Sequence, residues 1–244
     1  MNILETKNLT KHFDGIKAVD NLSISIEKGK ITGIIGPNGS GKTTLINLLS
    51  GVLPFNDGFI VVGGVEKLNK VKPYEVFSFG ITRTFQNVRL FEQMPVLDNI
   101  LVVLTKRNVA SSLFEKHKGF HVKQAENILN KIGLSEKRNQ LAANLSYGQR
   151  KLLEIGRALA TGAEIYLLDE PFAGLFPQMT EIVSEIIKEL KKEGKTIILI
   201  EHNMNLIRKM SDYVMVMDSG KLLAEGDSEN VLAKKEVIEA YLGE

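Results

Sequence analysis

Between the apolar run Ile31-Thr32-Gly33-Ile34-Ile35 and a second that begins Leu45-Ile46-Asn47-Leu48-Leu49, the chain places Gly36, Pro37, Asn38, Gly39, Ser40, Gly41, Lys42, Thr43 and Thr44. This fits G-x-x-x-x-G-K-[ST], and the flanking runs supply a strand, a tight loop and a helix start. Glycines let such a loop close around an anion with its N–H groups pointing inward. The helix start adds partial positive charge, and Lys42 adds a full one. The Thr43 hydroxyl is a candidate Mg²⁺ ligand. The nine residues therefore read as a phosphate-binding loop for a nucleoside triphosphate, expected to be ATP with Mg²⁺. A strand that feeds a helix through such a loop constrains the rest of the chain to an α/β fold.

The remaining pattern agrees with that constraint. Strand-like stretches open the chain at 3–9 and at 18–26, the latter alternating at Leu22, Ile24 and Ile26. Asn56-Asp57-Gly58 reads as a turn before a strand at 59–62. The middle changes character, with helical patterns at 96–104, 122–132 and 148–159 and a polar, basic stretch at 106–118. The last third alternates again: strand 165–168, helix 179–193, strand 196–200, helix 204–210 and strand 213–218. Strands alternating with helices predict a parallel sheet covered on both faces. The helical middle then reads as an insertion between two halves of a nucleotide-binding core.

Composition removes several chemistries. The chain of 244 residues has no cysteine, which excludes disulfides, thiolate-bound zinc and thiol catalysis. A net charge of +2 gives no argument for nucleic acid. Among the 4 histidines, only His117 and His121 have helical spacing, and they read as exposed helix surface. No apolar run approaches the ~20 residues of a membrane span. The N-terminal Met1-Asn2-Ile3-Leu4-Glu5 lacks the layout of a signal peptide. The expectation is a cytosolic protein whose membrane role, if any, comes through a partner.

Two acids close the apolar run Ile165-Tyr166-Leu167-Leu168-Asp169-Glu170. In nucleotide hydrolases an aspartate at such a strand end holds Mg²⁺, and a following glutamate can polarise the attacking water. Upstream, Leu145-Ser146-Tyr147-Gly148-Gln149-Arg150 opens a helix. Ser146 reads as its N-cap, and a helix start with serine and glycine is also an anion site.

Together these motifs resemble the ATP-binding cassette (ABC) ATPases, whose signature is usually written LSGGQ; here Tyr147 replaces its first glycine. The resemblance covers essentially the whole chain. It implies a P-loop NTPase fold, with a RecA-like core, an antiparallel β subdomain and an inserted helical subdomain. It makes the chain one cassette, with the core at 1–95 and 160–244 and the helical subdomain at about 96–159. Gln86, in Arg83-Thr84-Phe85-Gln86-Asn87, matches the glutamine that touches Mg²⁺ or the attacking water and reports to a membrane partner. His202 matches the switch histidine on the γ-phosphate. Phe13 matches the aromatic that stacks on adenine. Ala173-Gly174-Leu175-Phe176 occupies the D-loop, with Phe176 where the family commonly has Asp or Asn. By the same resemblance, Lys42, Glu170 and His202 carry catalysis, and Thr43, Gln86 and Asp169 hold Mg²⁺. Ser146, Gly148 and Gln149 meet ATP on a second cassette, identical or related.

A finer resemblance, to the ATPase subunit of branched-chain amino acid importers, rests on 80–91, 145–149, 154–159, 200–204 and the ending Tyr241-Leu242-Gly243-Glu244. It implies transmembrane permease subunits as partners, a solute-binding protein acting through them, and a place on the cytoplasmic face of the membrane. Val88, Leu90 and Phe91 would offer apolar contacts to a permease. The ending also resembles lipopolysaccharide-export ATPases, so a lipid exporter is an alternative. A soluble cassette acting on DNA or ribosomes is disfavoured. The stretch at 96–159 has no sustained heptads, and the chain holds one cassette rather than two.

Overall fold

The computed structural model describes residues 1–104 and 118–242. Of the sequence expectations, His117, the stretch 106–117 and residues 243–244 lie outside the described residues. The described residues form two compact units. The first comprises the described residues of 1–83, 164–170 and 188–242; the second comprises those of 84–104, 118–163 and 171–187.

The first unit holds two sheets. One is antiparallel, with β1 (Asn2–Phe13), β2 (Ile16–Leu22), β3 (Ser25–Glu27), β5 (Asp57–Val62) and β6 (Glu66–Leu68) in the order β2-β1-β5-β6 and β3 also pairing with β1. The other contains β4 (Ile31–Ile35), β7 (Ile81–Arg83), β8 (Ile165–Asp169), β9 (Thr196–Ile200), β10 (Tyr213–Asp218) and β11 (Lys221–Gly226), in the order β11-β10-β4-β9-β8-β7. It is parallel except for the β10–β11 pair. Every residue of β4, β8 and β9 is buried. That explains why these strands read as continuous apolar runs and not as alternations. Helix α1 (Lys42–Leu49) follows β4, and its Leu45, Ile46, Leu48 and Leu49 join one apolar cluster with residues of both sheets.

Parallel strands share a carboxyl end, and the register sets what is gathered there. Ile34 of β4 pairs with Ile200 of β9, and Ile200 in turn with Asp169 of β8. The loop after β4, the acids at the end of β8 and the residues after β9 therefore converge on one edge. In open parallel sheets, ligands bind at that edge, where neighbouring strands are reached from opposite directions along the chain.

Several boundaries differ from the sequence reading. The stretch 18–26 is two strands, not one. Asn21 there takes a left-handed φ of 53°. The Thr6 hydroxyl donates to the Leu22 carbonyl and accepts from the Ile24 N–H, replacing ladder bonds. β5 begins at Asp57, inside the stretch read as a turn. β7 and β11 went unread: the first is only three residues long, and the second pairs only at the sheet's edge.

The second unit is helical. It contains α2 (Val96–Leu104), α3 (Lys118–Lys131) and α4 (Tyr147–Ala160), with the first part of α5 (Pro177–Lys192). Gly156 is where α2, α3 and α4 meet. A Cβ there would lie 2.7 Å from the side chain of Ile132, 3.2 Å from that of Ile100 and 3.3 Å from that of Ile128, so a larger residue would have to displace these isoleucines. The last third adds α6 (Met204–Met210), α7 (Ser228–Leu232) and α8 (Lys235–Leu242) to the first unit.

Candidate nucleotide site

The loop between β4 and α1 is held by backbone that no other residue type would fit. Gly36 has φ 153° and Gly41 φ 100°. A Cβ would lie 2.1 Å from the Met217 carbonyl oxygen at Gly36 and 2.2 Å from that of Ala18 at Gly41. The loop is thus pressed between the end of β10 and β2. Asn38 and Gly39 face solvent, while Ser40 is buried. Gly41 caps α1 with no side-chain bond, and the first turn of the helix holds no acidic residue. This is the form in which a helix start serves an external anion.

Lys42 is 5% exposed and arches back over the loop. Its ammonium donates to the carbonyls of Gly36 and Pro37, both at 2.9 Å, and to the Ser40 hydroxyl at 3.3 Å. Burial pulls its pKa down, and the Glu170 and Asp169 carboxylates oppose the shift. Thr43 is exposed and Thr44 partly so.

Asp169, at the end of β8, is buried, and its Oδ2 accepts a charge-assisted bond from Arg83 at 3.0 Å. Glu170 follows with a left-handed φ of 49°, and its N–H donates to the Ile200 carbonyl. Its Oε1 lies 2.7 Å from Nε2 of His202, just past β9; against an ionised carboxylate the imidazole is the donor. Among the described residues, no group of three or more His, Asp or Glu side chains could hold a metal ion by itself. Mg²⁺ takes oxygen donors, usually one or two carboxylates with substrate phosphates completing its shell. The donor set of Thr43 hydroxyl and Asp169 carboxylate is of that kind.

Phe13 ends β1 and pairs across the hairpin with Ile16. It is 42% exposed, so this strand aromatic is a surface group and not core. The Lys11 ammonium lies 4.9 Å from its ring centre.

The second unit holds the remaining predicted residues. Ser146 caps α4 in a reciprocal box: its Oγ accepts from the Gln149 N–H, and Gln149 Oε1 accepts from the Ser146 N–H. Gly148 is buried, and a Cβ there would lie 2.5 Å from the Met179 sulfur. Tyr147 is half exposed and packs on Gly174. Gln86 is exposed. Its segment is gripped by α4: Glu154 Oε1 accepts the N–H groups of Phe85 and Arg89, both at 3.2 Å. Arg157 donates to the Arg89 carbonyl and stacks on Phe91, 4.8 Å from the ring centre. Phe91 is 45% exposed, and Val88 and Leu90 are half-buried.

The first unit thus gathers Lys42, Asp169, Glu170 and His202, while the second carries Gln86, Ser146, Gly148 and Gln149. Sequence reasoning missed Arg83 and Glu154. Both are charged residues that nothing in their neighbours along the chain sets apart, and only the partners they find in three dimensions distinguish them from surface charges.

A parallel sheet with a phosphate loop after one strand, and acids at the same edge on the next strand but one, defines a P-loop nucleotide-binding protein. Residues 19–173 match the family model described as ABC transporter. Curated relatives include the probable branched-chain amino acid transport ATP-binding protein LivG of Archaeoglobus fulgidus, 39% identical over 250 residues and covering 100% of this chain and 96% of that one. BraF of Pseudomonas aeruginosa, a high-affinity branched-chain amino acid transport ATP-binding protein, is 37% identical, with 99% and 98% covered. Among solved structures, the ADP conformation of an ATP-binding cassette of an ABC transporter has TM-score 0.85 at 38% identity, over 100% of both chains. A dimeric post-hydrolysis cassette bound to ADP and Pi has TM-score 0.81 at 25% identity, covering 92% of this chain and 98% of that one. The chain belongs to the ABC transporter family, as one of its ATP-hydrolysing cassettes.

Proposed function

We propose that this cassette energises a membrane transporter that imports branched-chain or related amino acids. The observation that carries the reading is end-to-end likeness to ATPases named for that transport, at 37–39% identity. No helix among the described residues is long and apolar enough to cross a membrane. The same likeness to transport ATPases supports permease subunits as its partners at the cytoplasmic face of the membrane, with a solute-binding protein acting through them.

In this reading the nucleotide-binding core is 1–95 with 160–244, and about 96–159 is the helical subdomain. Gly36, Pro37, Asn38, Gly39, Ser40, Gly41, Lys42, Thr43 and Thr44 cradle the phosphates of ATP, and Phe13 takes the adenine. The Lys42 ammonium exchanges loop carbonyls for phosphate oxygens. Thr43, Asp169 and Gln86 would hold Mg²⁺, which when bound neutralises charge on the phosphates. Glu170 orients the attacking water and takes its proton. His202, already on Glu170, fixes that carboxylate and faces the γ-phosphate. Phosphoryl transfer is chiefly positioning and electrostatics, so these fixed charges do most of the work. Ser146, Gly148 and Gln149 of a second cassette complete each site. The dimeric relative bound to ADP and Pi supports this arrangement.

The test is reconstitution with the permeases that co-purify with the cassette. ATP-dependent uptake of leucine, isoleucine or valine into proteoliposomes, with a matching binding protein, is the expected result. ATP-driven lipid release without amino acid uptake would overturn the import reading.

A further inference from the structure

We infer that Arg83 is a positioning residue that locks the Asp169 carboxylate to the phosphate-loop helix. The inference rests on the reading of Asp169 as a Mg²⁺-holding group. Arg83 is the last residue of β7, and its side chain is 6% exposed. One guanidinium nitrogen, Nη1, donates to Asn47 Oδ1 at 2.6 Å and to Ser50 Oγ at 2.8 Å. The other, Nη2, donates to Asp169 Oδ2 at 3.0 Å. Asn47 lies in α1, whose first residues are Lys42 and Thr43, and Ser50 caps that helix, its hydroxyl donating to the Ile46 carbonyl at 2.7 Å. A single planar cation thus joins the helix that carries Thr43 to the carboxylate expected to share an ion with Thr43.

The chemistry calls for arginine. Its rigid fork reaches two elements at once, whereas a lysine is a point charge on a flexible stem. The bond fixes one oxygen of Asp169 and with it the plane of the carboxylate. Partners of this kind, one shell out from a metal, set ligand orientation, and their loss costs about 10–100-fold in metal affinity. A merely structural cross-link would instead weaken nucleotide binding with and without metal alike.

The experiment uses the purified subunit. Binding of a fluorescent ADP analogue is measured in EDTA, and Mn²⁺ binding to the ADP complex is followed by electron paramagnetic resonance. Arg83→Gln is expected to keep ADP affinity in EDTA within about twofold while weakening Mn²⁺ roughly tenfold or more. Arg83→Lys, which keeps the charge but loses the fork, should fall between wild type and Arg83→Gln. Asn47→Ala, which leaves the ion pair and the Ser50 bond but removes one of the two acceptors of Nη1, should weaken Mn²⁺ measurably but less than Arg83→Gln. If thermal melting shows that Arg83→Gln does not fold, the last two variants decide. Wild-type Mn²⁺ affinity in both would overturn the inference, as would parallel losses in EDTA. Asp169→Asn separates the two readings. Unchanged Mn²⁺ affinity there would overturn the Asp169 assignment and this inference with it. A loss there with none in folded Arg83 variants would overturn the inference alone.

Discussion

Glu170 stands in the left-handed region at φ 49°, a conformation that costs a non-glycine residue about 1–3 kcal/mol. Its N–H bond to Ile200 and its contact with His202 hold it there. The turn directs the carboxylate off the end of β8, while Asp169, one residue earlier, stays buried against Arg83. Adjacent acids thus acquire different surroundings, one clamped by a cation and one within reach of an imidazole. Glu170→Gln keeps the size of the side chain and removes its basicity. Turnover is expected to fall roughly 10²–10⁴-fold, with ATP binding retained in equilibrium dialysis. Near-normal turnover would take Glu170 out of the catalytic role.

At the scale of elements, α4 does two jobs. Its first turn is built by the Ser146–Gln149 box, and two turns on it grips the segment that carries Gln86. Only the first was legible beforehand. Serine, then glutamine three residues later, is a helix-start pattern whatever lies around it, because the bonds are local. Glu154 was not legible, because its partners, Phe85 and Arg89, are far away in sequence. Burial pushes its pKa up to about 7, against the pull of the Arg89 and Phe85 N–H groups and of Lys151 and Arg157. The folded state therefore binds a proton that the unfolded state has released, between the ordinary value of 4.5 and about 7. Stability from this group is full below that window and falls as pH rises through it, by at most about 3 kcal/mol. Glu154→Gln, whose amide oxygen can still accept both N–H bonds, should lose this slope. Urea midpoints at pH 5 and pH 8 would show it; an equal drop in both proteins would clear Glu154 as its source.

For the whole molecule, the division of site residues between the two units matters most. The charges expected to act on the γ-phosphate in the same chain lie in the first, and the signature residues lie in the second. A second cassette that supplies Ser146, Gly148 and Gln149 would make ATP the link between copies. Ser146→Arg should then leave nucleotide binding at Lys42 intact and abolish ATP-driven dimerisation in the Glu170→Gln background, read by light scattering. Dimers that form as before would count against the shared site. Phe176, in the segment expected to be the D-loop, is 74% exposed, so its side chain offers an apolar contact there.

What the chain states by itself is what depends on short range. A glycine-rich loop between a buried strand and a helix can be read because its glycines, its lysine and its flanking runs are contiguous. The alternation of strand and helix follows from periodicity, and the signature helix from its own cap. Only the tertiary structure decided which strands lie side by side. That placed the ends of β4, β8 and β9 on one edge and set His202 on Glu170. It also turned Arg83, the end of a three-residue strand with no pattern of its own, into the bridge between α1 and Asp169. The physical reason is common to all of these. Hydrogen bonds and ion pairs between distant residues exist only once the parallel register has been set, and nothing local in the sequence marks their ends.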